Sequence, residues 1–369
     1  MLLALSMVGK IVKHPKVLIV KMSALGDVVH ALAVLDYLHQ VRPGIEIGWV
    51  VEERFRELLE GNPLLAHLHL IRTREWKKRP LALKNWREAS RLREEIMACE
   101  YDIAFDLQTN TKSGIVAWLS GAPRRVGVAP DQAREPLNRY FMTSSVAIRR
   151  QDYHVTDRCL RIVSSAFGRD YSGMQFSTDI HTGVEEEREA EAYLATLGDG
   201  FVVLIHPGTT WGTKMWHESG WIELGQKVLG EFSDSSILLS SAGEAERAMA
   251  ERVAAGIGGQ TRVLPAMSLK RLAAIMRKVD LVVGCDSGPV HMAAAVGTPT
   301  LSLYRATDGR RTGPRGESHL TVQSPLKCTD CLNKQCDSDQ DCRSSISVDT
   351  MIAGVRKLLL RTASPGPQA

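Results

Sequence analysis

The sequence predicts two doubly wound α/β domains, and three observations carry that reading. Short apolar, β-branched runs alternate with longer helical patterns, as expected of parallel strands covered by helices. The 369 residues are too many for one ordinary core and few for three. A polar, glycine-containing stretch over residues 168–186 interrupts the alternation, so the domains are expected at 1–180 and 181–369, facing each other across a cleft.

The elements follow in order. Val17–Val20 reads as a buried strand, followed by a helical pattern over Val28–His39; Ile45–Val51 and Asp102–Asp106 are further strands. In the second half Phe201–Ile205, Ser236–Leu239, Leu281–Val283 and Thr300–Leu303 are short apolar runs with turn residues after them. Helical patterns over Glu244–Ala255 and Leu269–Lys278 separate them, and Val348–Arg361 closes the chain as a helix. The Ser364–Pro367 end is expected to be disordered. Open α/β sheets bind ligands beyond the carboxyl ends of their strands, so the loops after the strands are where chemistry is sought.

Composition narrows the classes. With 44% hydrophobic and 24% charged residues the chain reads as soluble and globular. No window approaches the roughly 18 apolar residues of a membrane span. The apolar Met1–Gly9 stretch lacks a basic leader and is followed by Lys10, a poor pattern for a signal peptide, so a cytoplasmic location is expected. The net charge of +4 is unevenly spread: residues 1–180 hold 26 Lys/Arg against 20 Asp/Glu, the remainder 20 against 22. Nine basic residues between 72 and 93 face only Glu75 and Glu88. Such a segment is either a solvated face or a surface for an anionic partner. No nucleic-acid reading motif accompanies it, so nucleic acid is not expected.

Three loops carry candidate chemistry. Lys21–Asp27 follows the first strand; Gly26 suits a tight turn and Asp27 stands at the entrance of the next helix. Asp27 is either an N-cap or a carboxylate poised as a general base, with Lys21 and Ser23 beside it to orient an acceptor. His206–Trp216 follows Phe201–Ile205 and offers glycines, threonines and Lys214, donors suited to phosphate oxygens, without the Walker A order. Cys285–His291 places small residues at a helix start, where free N–H groups favour a diphosphate. Asp286 is unexpected beside an anion and reads as a cap or as an acceptor of bonds from the loop. Tyr304–Asp308 would line the same edge.

Together with Trp49–Glu53, Gln132–Leu137 and Met267–Leu269, these segments resemble, in order and from about residue 16 to 325, the bacterial lipopolysaccharide heptosyltransferases, most closely the heptosyltransferase I group. This is a glycosyltransferase family of the two-Rossmann-domain (GT-B) type. The resemblance implies an acceptor-binding first domain and a nucleotide-sugar-binding second domain. It implies inverting transfer from ADP-heptose to a Kdo or heptose hydroxyl of the lipopolysaccharide inner core, with Asp27 as base. Thr209, Thr210, Lys214, Glu244, Asp286, Ser287, Gly288 and His291 match positions that hold the donor, Ser287 standing where Thr is frequent. An acidic, phosphorylated acceptor would give the basic segment a partner, with Arg72, Lys77, Lys78 and Arg79, joined by Arg134, as contacts. Peripheral contact with the cytoplasmic face of the inner membrane is expected, and no cofactor is required beyond the nucleotide sugar.

Cys328, Cys331, Cys336 and Cys342 fall within 15 residues. By count they suit a structural zinc or iron–sulfur site, although the spacing is not that of a standard finger; reduced thiols are the favoured reading, and a catalytic metal is not expected. Two other functions stay open: a relative using a different nucleotide sugar or acceptor, and a non-catalytic metal-binding regulator on this fold.

Overall fold

The computed structural model describes residues 14–78 and 82–362. Met1–Gly9, Arg79 and Ser364–Pro367 lie outside them. Among the described residues the chain forms two compact units. The first runs up to Ser23 and takes in Ala31–Asp152 and Thr156–Phe176; the second takes in Ala24–His30, Tyr153–Val155 and the chain from Ser177 onward.

The first unit is built on strands β1 (Lys16–Val20), β2 (Glu46–Glu52), β3 (His67–Ile71), β4 (Ile103–Asp106), β5 (Arg124–Val128) and β6 (Ser144–Val146). All neighbours pair in parallel, in the order β3-β2-β1-β4-β5-β6. Its surrounding helices are α2 (Ala33–Val41), α3 (Thr73–Lys78), α4 (Leu83–Ala98), α5 (Thr111–Leu119) and α6 (Val155–Ser164), whereas α1 (Leu25–Ala31) falls in the second unit up to His30. Central strands of a parallel sheet are covered on both faces, which is why Val17–Val20 is apolar without alternation and fully buried. The helical pattern over Val28–His39 is divided: α1 ends at Ala31 and α2 begins at Ala33.

The second unit repeats the plan. Strands β7 (Val202–His206), β8 (Ser236–Leu239), β9 (Thr261–Val263), β10 (Leu281–Cys285), β11 (Thr300–Tyr304) and β12 (His319–Gln323) pair in the order β12-β11-β10-β7-β8-β9. Helices α7 (Val184–Leu194), α8 (Glu218–Glu231), α9 (Glu244–Ile257), α10 (Leu269–Lys278), α11 (Gly288–Ala295), α12 (Gly309–Thr312), α13 (Asp339–Ser344) and α14 (Val348–Thr362) surround it. One core joins β7, β10 and β11 to α8, α9 and α14, with Trp216 and Trp221 packed edge to face at 4.9 Å.

In both sheets the chain runs outward through three strands, then returns to the other side of the first. The turning point lies between β1 and β4 in one unit and between β7 and β10 in the other. Loops leaving the two strands at such a point diverge, which opens a crevice at their carboxyl ends. The sequence-selected loops after β1, β7 and β10 all leave from these points. No described helix is long and apolar enough to cross a membrane.

Candidate active site

In the second unit the crevice is organised around one carboxylate. Asp286, directly after β10, is buried. Its Oδ2 accepts from Lys214 Nζ at 2.6 Å and Thr307 Oγ1 at 2.7 Å, and Oδ1 lies 3.3 Å from His291 Nε2. Burial pushes the Asp286 carboxyl up, but the hydrogen bond from His291 and the charge of Lys214 outweigh it and hold the group well below the usual carboxylate range. A buried, paired and multiply hydrogen-bonded carboxylate is a rigid pivot. Asp286 therefore meets the loop and helix donors directly and does not cap α11.

The pivot ties three loops together. Lys214 comes from the segment after β7, and its ammonium also lies 4.7 Å from the Trp211 ring centroid. Thr209 Oγ1 donates to the Asp286 carbonyl at 3.2 Å, while Thr210 is exposed. Thr307 comes from the loop after β11. Ser287 is the N-cap residue of α11 and is buried, yet its hydroxyl has no partner among the described residues. Nor has His291 Nδ1. The uncommitted Ser287 hydroxyl beside a helix start suits an anionic ligand.

Asp27 and His30 belong to this unit too. Asp27 Oδ2 accepts from the Ala24 backbone N–H at 3.1 Å, the back-reaching half of a capping box. His30 packs 4.5 Å from the His291 ring and 5.2 Å from His154. Gly26 is expected from sequence to make a tight turn, but it lies inside α1 and its φ is not positive. What it supplies is room: a Cβ there would come within 2.6 Å of His291 Cδ2, and one at Gly288 within 2.5 Å of Leu25 Cδ2.

Several contributors go beyond the residues assigned from sequence, although His206 opens the selected second loop and Glu246 is the neighbour that competes with Glu244 two residues away. His206, the last residue of β7, is buried, with Nδ1 3.0 Å from Ser240 Oγ and Nε2 3.8 Å from Glu246. Burial lowers its pKa to about 4. Glu246 accepts from the Ala242 N–H and packs against Gly208, and burial raises its pKa; Glu244, the expected residue, is exposed at the first turn of α9. Tyr153 donates to Asp308 at 3.0 Å, and Asp308 also holds Arg310. For Thr307 and Asp308 the signal was present, since they lie in the selected Tyr304–Asp308 loop.

In the first unit the loop after β1 is held from the loop after β4. Gln108 Oε1 accepts from the Met22 and Ser23 N–H groups at 3.1 Å each, and Lys21 is buried with Nζ 3.2 Å from the Leu107 carbonyl. The buried Asp106 organises that second loop, accepting from Gln108 N, Thr109 N, Ser113 Oγ and Asn138 Nδ2. Arg72 is engaged by Glu53 at 2.5 Å and Glu88 at 3.6 Å, so its charge is largely balanced. Lys77, Lys78 and Arg134 are exposed.

Cys328, Cys331, Cys336 and Cys342 are free thiols, the first three exposed. Among the described residues no three His, Cys, Asp or Glu side chains are gathered where they could hold a metal ion. The segment has a different visible task. Asn333 accepts from Thr213, Arg343 donates to the Gly212 carbonyl at 3.1 Å, and Lys334 lies 5.1 Å from the Trp211 ring, all bracing the loop that carries Lys214.

Comparison with known proteins gives the family and the fold. The chain is 34% identical over 327 residues to lipopolysaccharide heptosyltransferase 1 of Pseudomonas aeruginosa, covering 87% of each. Its fold matches the structure of E. coli heptosyltransferase WaaC with ADP, at a TM-score of 0.77 and 27% identity, covering 93% of this chain and 99% of that one. The same enzyme with ADP-2-deoxy-2-fluoro heptose matches at a TM-score of 0.74, with the same identity and coverage. The fold is thus of the GT-B type, with two doubly wound domains. Residues 89–340 match the model of glycosyltransferase family 9 (heptosyltransferase), and the chain belongs to that family.

Proposed function

We propose that this glycosyltransferase moves heptose from ADP-heptose to a Kdo or heptose hydroxyl of the lipopolysaccharide inner core, with inversion at the anomeric carbon. The observation that carries the reading is the Lys214–Asp286–His291–Thr307 constellation at the turning point of the second sheet. As the bond from C1 to the ADP oxygen breaks, negative charge grows on the diphosphate and the sugar becomes oxocarbenium-like. Fixed donors aimed at that charge stabilise the transition state more than the ground state. An ammonium has three N–H donors. With one on Asp286, Lys214 can turn the others to phosphate oxygens, beside the N–H groups at the start of α11 and the Ser287 hydroxyl. Thr209 and Thr210 flank the same oxygens, and Glu244, near the partly buried Glu246, is proposed to meet the nucleoside.

Asp27 takes the acceptor proton as the hydroxyl attacks C1 from the face opposite the leaving group. Lys21 and Ser23 shape the loop that presents it, and Lys77, Lys78, Arg79 and Arg134 meet an anionic acceptor, with Arg72 holding the local acids. The first unit is the acceptor domain and the second the donor domain in this scheme, which draws on no metal. The protein works at the cytoplasmic face of the inner membrane, in peripheral contact with it.

The test is transfer from ADP-heptose to a Kdo-lipid A acceptor by the purified protein, with UDP- and GDP-sugars as competing donors. Asp27→Ala should lose most turnover, by 100-fold or more on the ~10²–10⁴ scale of general-base catalysis, while binding ADP as the parent does. Near-normal turnover would remove Asp27 from the role of base.

A further inference from the structure

The first unit contains a cavity of about 430 Å³ that takes no part in the constellation above. Its size falls in the range of small-molecule sites, about 300–1,000 Å³. Two helical stripes form its walls. On α4 the residues are Ala89, Leu92, Arg93 and Ile96; on α5 they are Lys112, Ile115, Val116 and Leu119. Both follow the i, i+3, i+4, i+7 spacing that lines up one helix face. Ile71 at the end of β3 and Trp76 of α3 complete the apolar lining.

The polar groups restrict what could enter. Among the described residues no Asp or Glu lines the cavity. Thr73 supplies the lining's one hydroxyl, already committed as a donor to Glu52, so nothing inside would orient a polar ligand. The lining's charges are all positive: Lys77, Arg93 and Lys112 are exposed, and none forms an ion pair with a described residue. Neighbouring Arg72, by contrast, is balanced by Glu53 and Glu88. Ile115 is left 38% exposed. An apolar slot ringed by cations, with no acid in its lining, complements a long apolar tail bearing an anionic head.

We infer that this cavity seats an acyl chain of the lipid-anchored acceptor, with a phosphate of that lipid at the Lys77–Arg93–Lys112 rim. The inference rests on the acceptor class given under Proposed function and adds to it a second, non-reacting attachment point. Binding energy gained there would act equally on ground and transition states, so it should appear in KM and leave kcat unchanged.

The first measurement uses dodecyl phosphate, below its micelle concentration, titrated into the full chain by calorimetry. Saturable one-to-one binding is expected. It should weaken at least ten-fold in Ala89→Phe, which fills the slot, and in the double variant Arg93→Glu/Lys112→Glu. Ile115→Glu, changed at a half-exposed position and therefore tolerant for folding, should weaken it as well; unchanged binding in the filled and rim variants would overturn the site. The second measurement compares an acylated with a deacylated Kdo-bearing acceptor. Ala89→Phe should raise KM at least ten-fold for the acylated form alone. Equal KM values for both acceptors in the parent would overturn the assignment. So would a variant that loses binding to vesicles of anionic phospholipid while keeping its KM, since the chain seated would then be a bilayer lipid's. Failure of the functional reading looks different: no heptose reaches either acceptor, yet dodecyl phosphate still binds.

Discussion

At the scale of single residues, the second unit concentrates its electrostatics in two buried groups at neighbouring strand ends. Asp286 is anionic and three times hydrogen-bonded; His206 is neutral because burial disfavours its charged form. Their pH signatures follow from the direction of each shift. His206 has a folded pKa of about 4 against an unfolded value near 6.5, so the unfolded chain binds more protons in that window. Its contribution is present above pH 6.5 and is lost as the pH falls towards 4, by about 3 kcal/mol. His206→Asn, which keeps a group near Ser240 Oγ, should flatten stability against pH between 6.5 and 4 in denaturant titrations. An unchanged slope would mean that the histidine is not held neutral. Asp286, with its pKa depressed, loses its contribution at lower pH still, below the ordinary carboxylate value. Gly26 shows a limit of residue reading: its type was legible as a turn former, but its task is to let α1 approach His291.

Among elements, the central strands were legible and the outer ones were not. Val17–Val20, Phe201–Ile205 and Leu281–Val283 are continuous apolar runs because helices cover both faces of their sheets. β3 reads His-Leu-His-Leu-Ile, and its buried His69 has the Tyr101 hydroxyl as a partner 2.8 Å away. β5 opens on Arg124-Arg125, and Arg125 reaches the carbonyls of Phe141 and Ala122. Tyr101 and Phe141 are distant in sequence from the residues they hold, so no local pattern marks these strands. Helix starts were plainer. α10 begins at Leu269, where Ser268 accepts from the Arg271 N–H at 3.2 Å. Ser268→Ala should cost about 1 kcal/mol of stability by loss of that cap, with no change in ADP affinity. A cost within error of zero would place the start of α10 under tertiary packing alone.

For the whole molecule, the two units differ in charge and in composition along the chain. The excess of basic residues lies in the first half, and the anionic pivot and its donors lie in the second. If ADP binds at the Asp286 constellation, mass action should stabilise the second unit by about 2.7 kcal/mol at a free concentration 100 times Kd. Scanning calorimetry should show ADP raising the transition of that unit. Lys214→Ala should abolish most of the shift at the same ADP concentration; an undiminished shift would place the nucleotide elsewhere.

By itself the sequence determined the fold class and the family, and it pointed to three loops as candidates for the chemistry. Strand burial and loop position are written locally, in apolar runs and the turn residues after them. Tertiary structure alone decided which groups meet: that Asp286 faces Lys214, Thr307 and His291, that Glu246 faces His206, and that Arg72 is balanced by Glu53 and Glu88. It also decided that Ala24–His30 and Tyr153–Val155 pack with the second unit although they lie within the first half of the chain. Hydrogen bonds and ion pairs act over a few ångströms between residues tens of positions apart, and only the strand order brings such residues together.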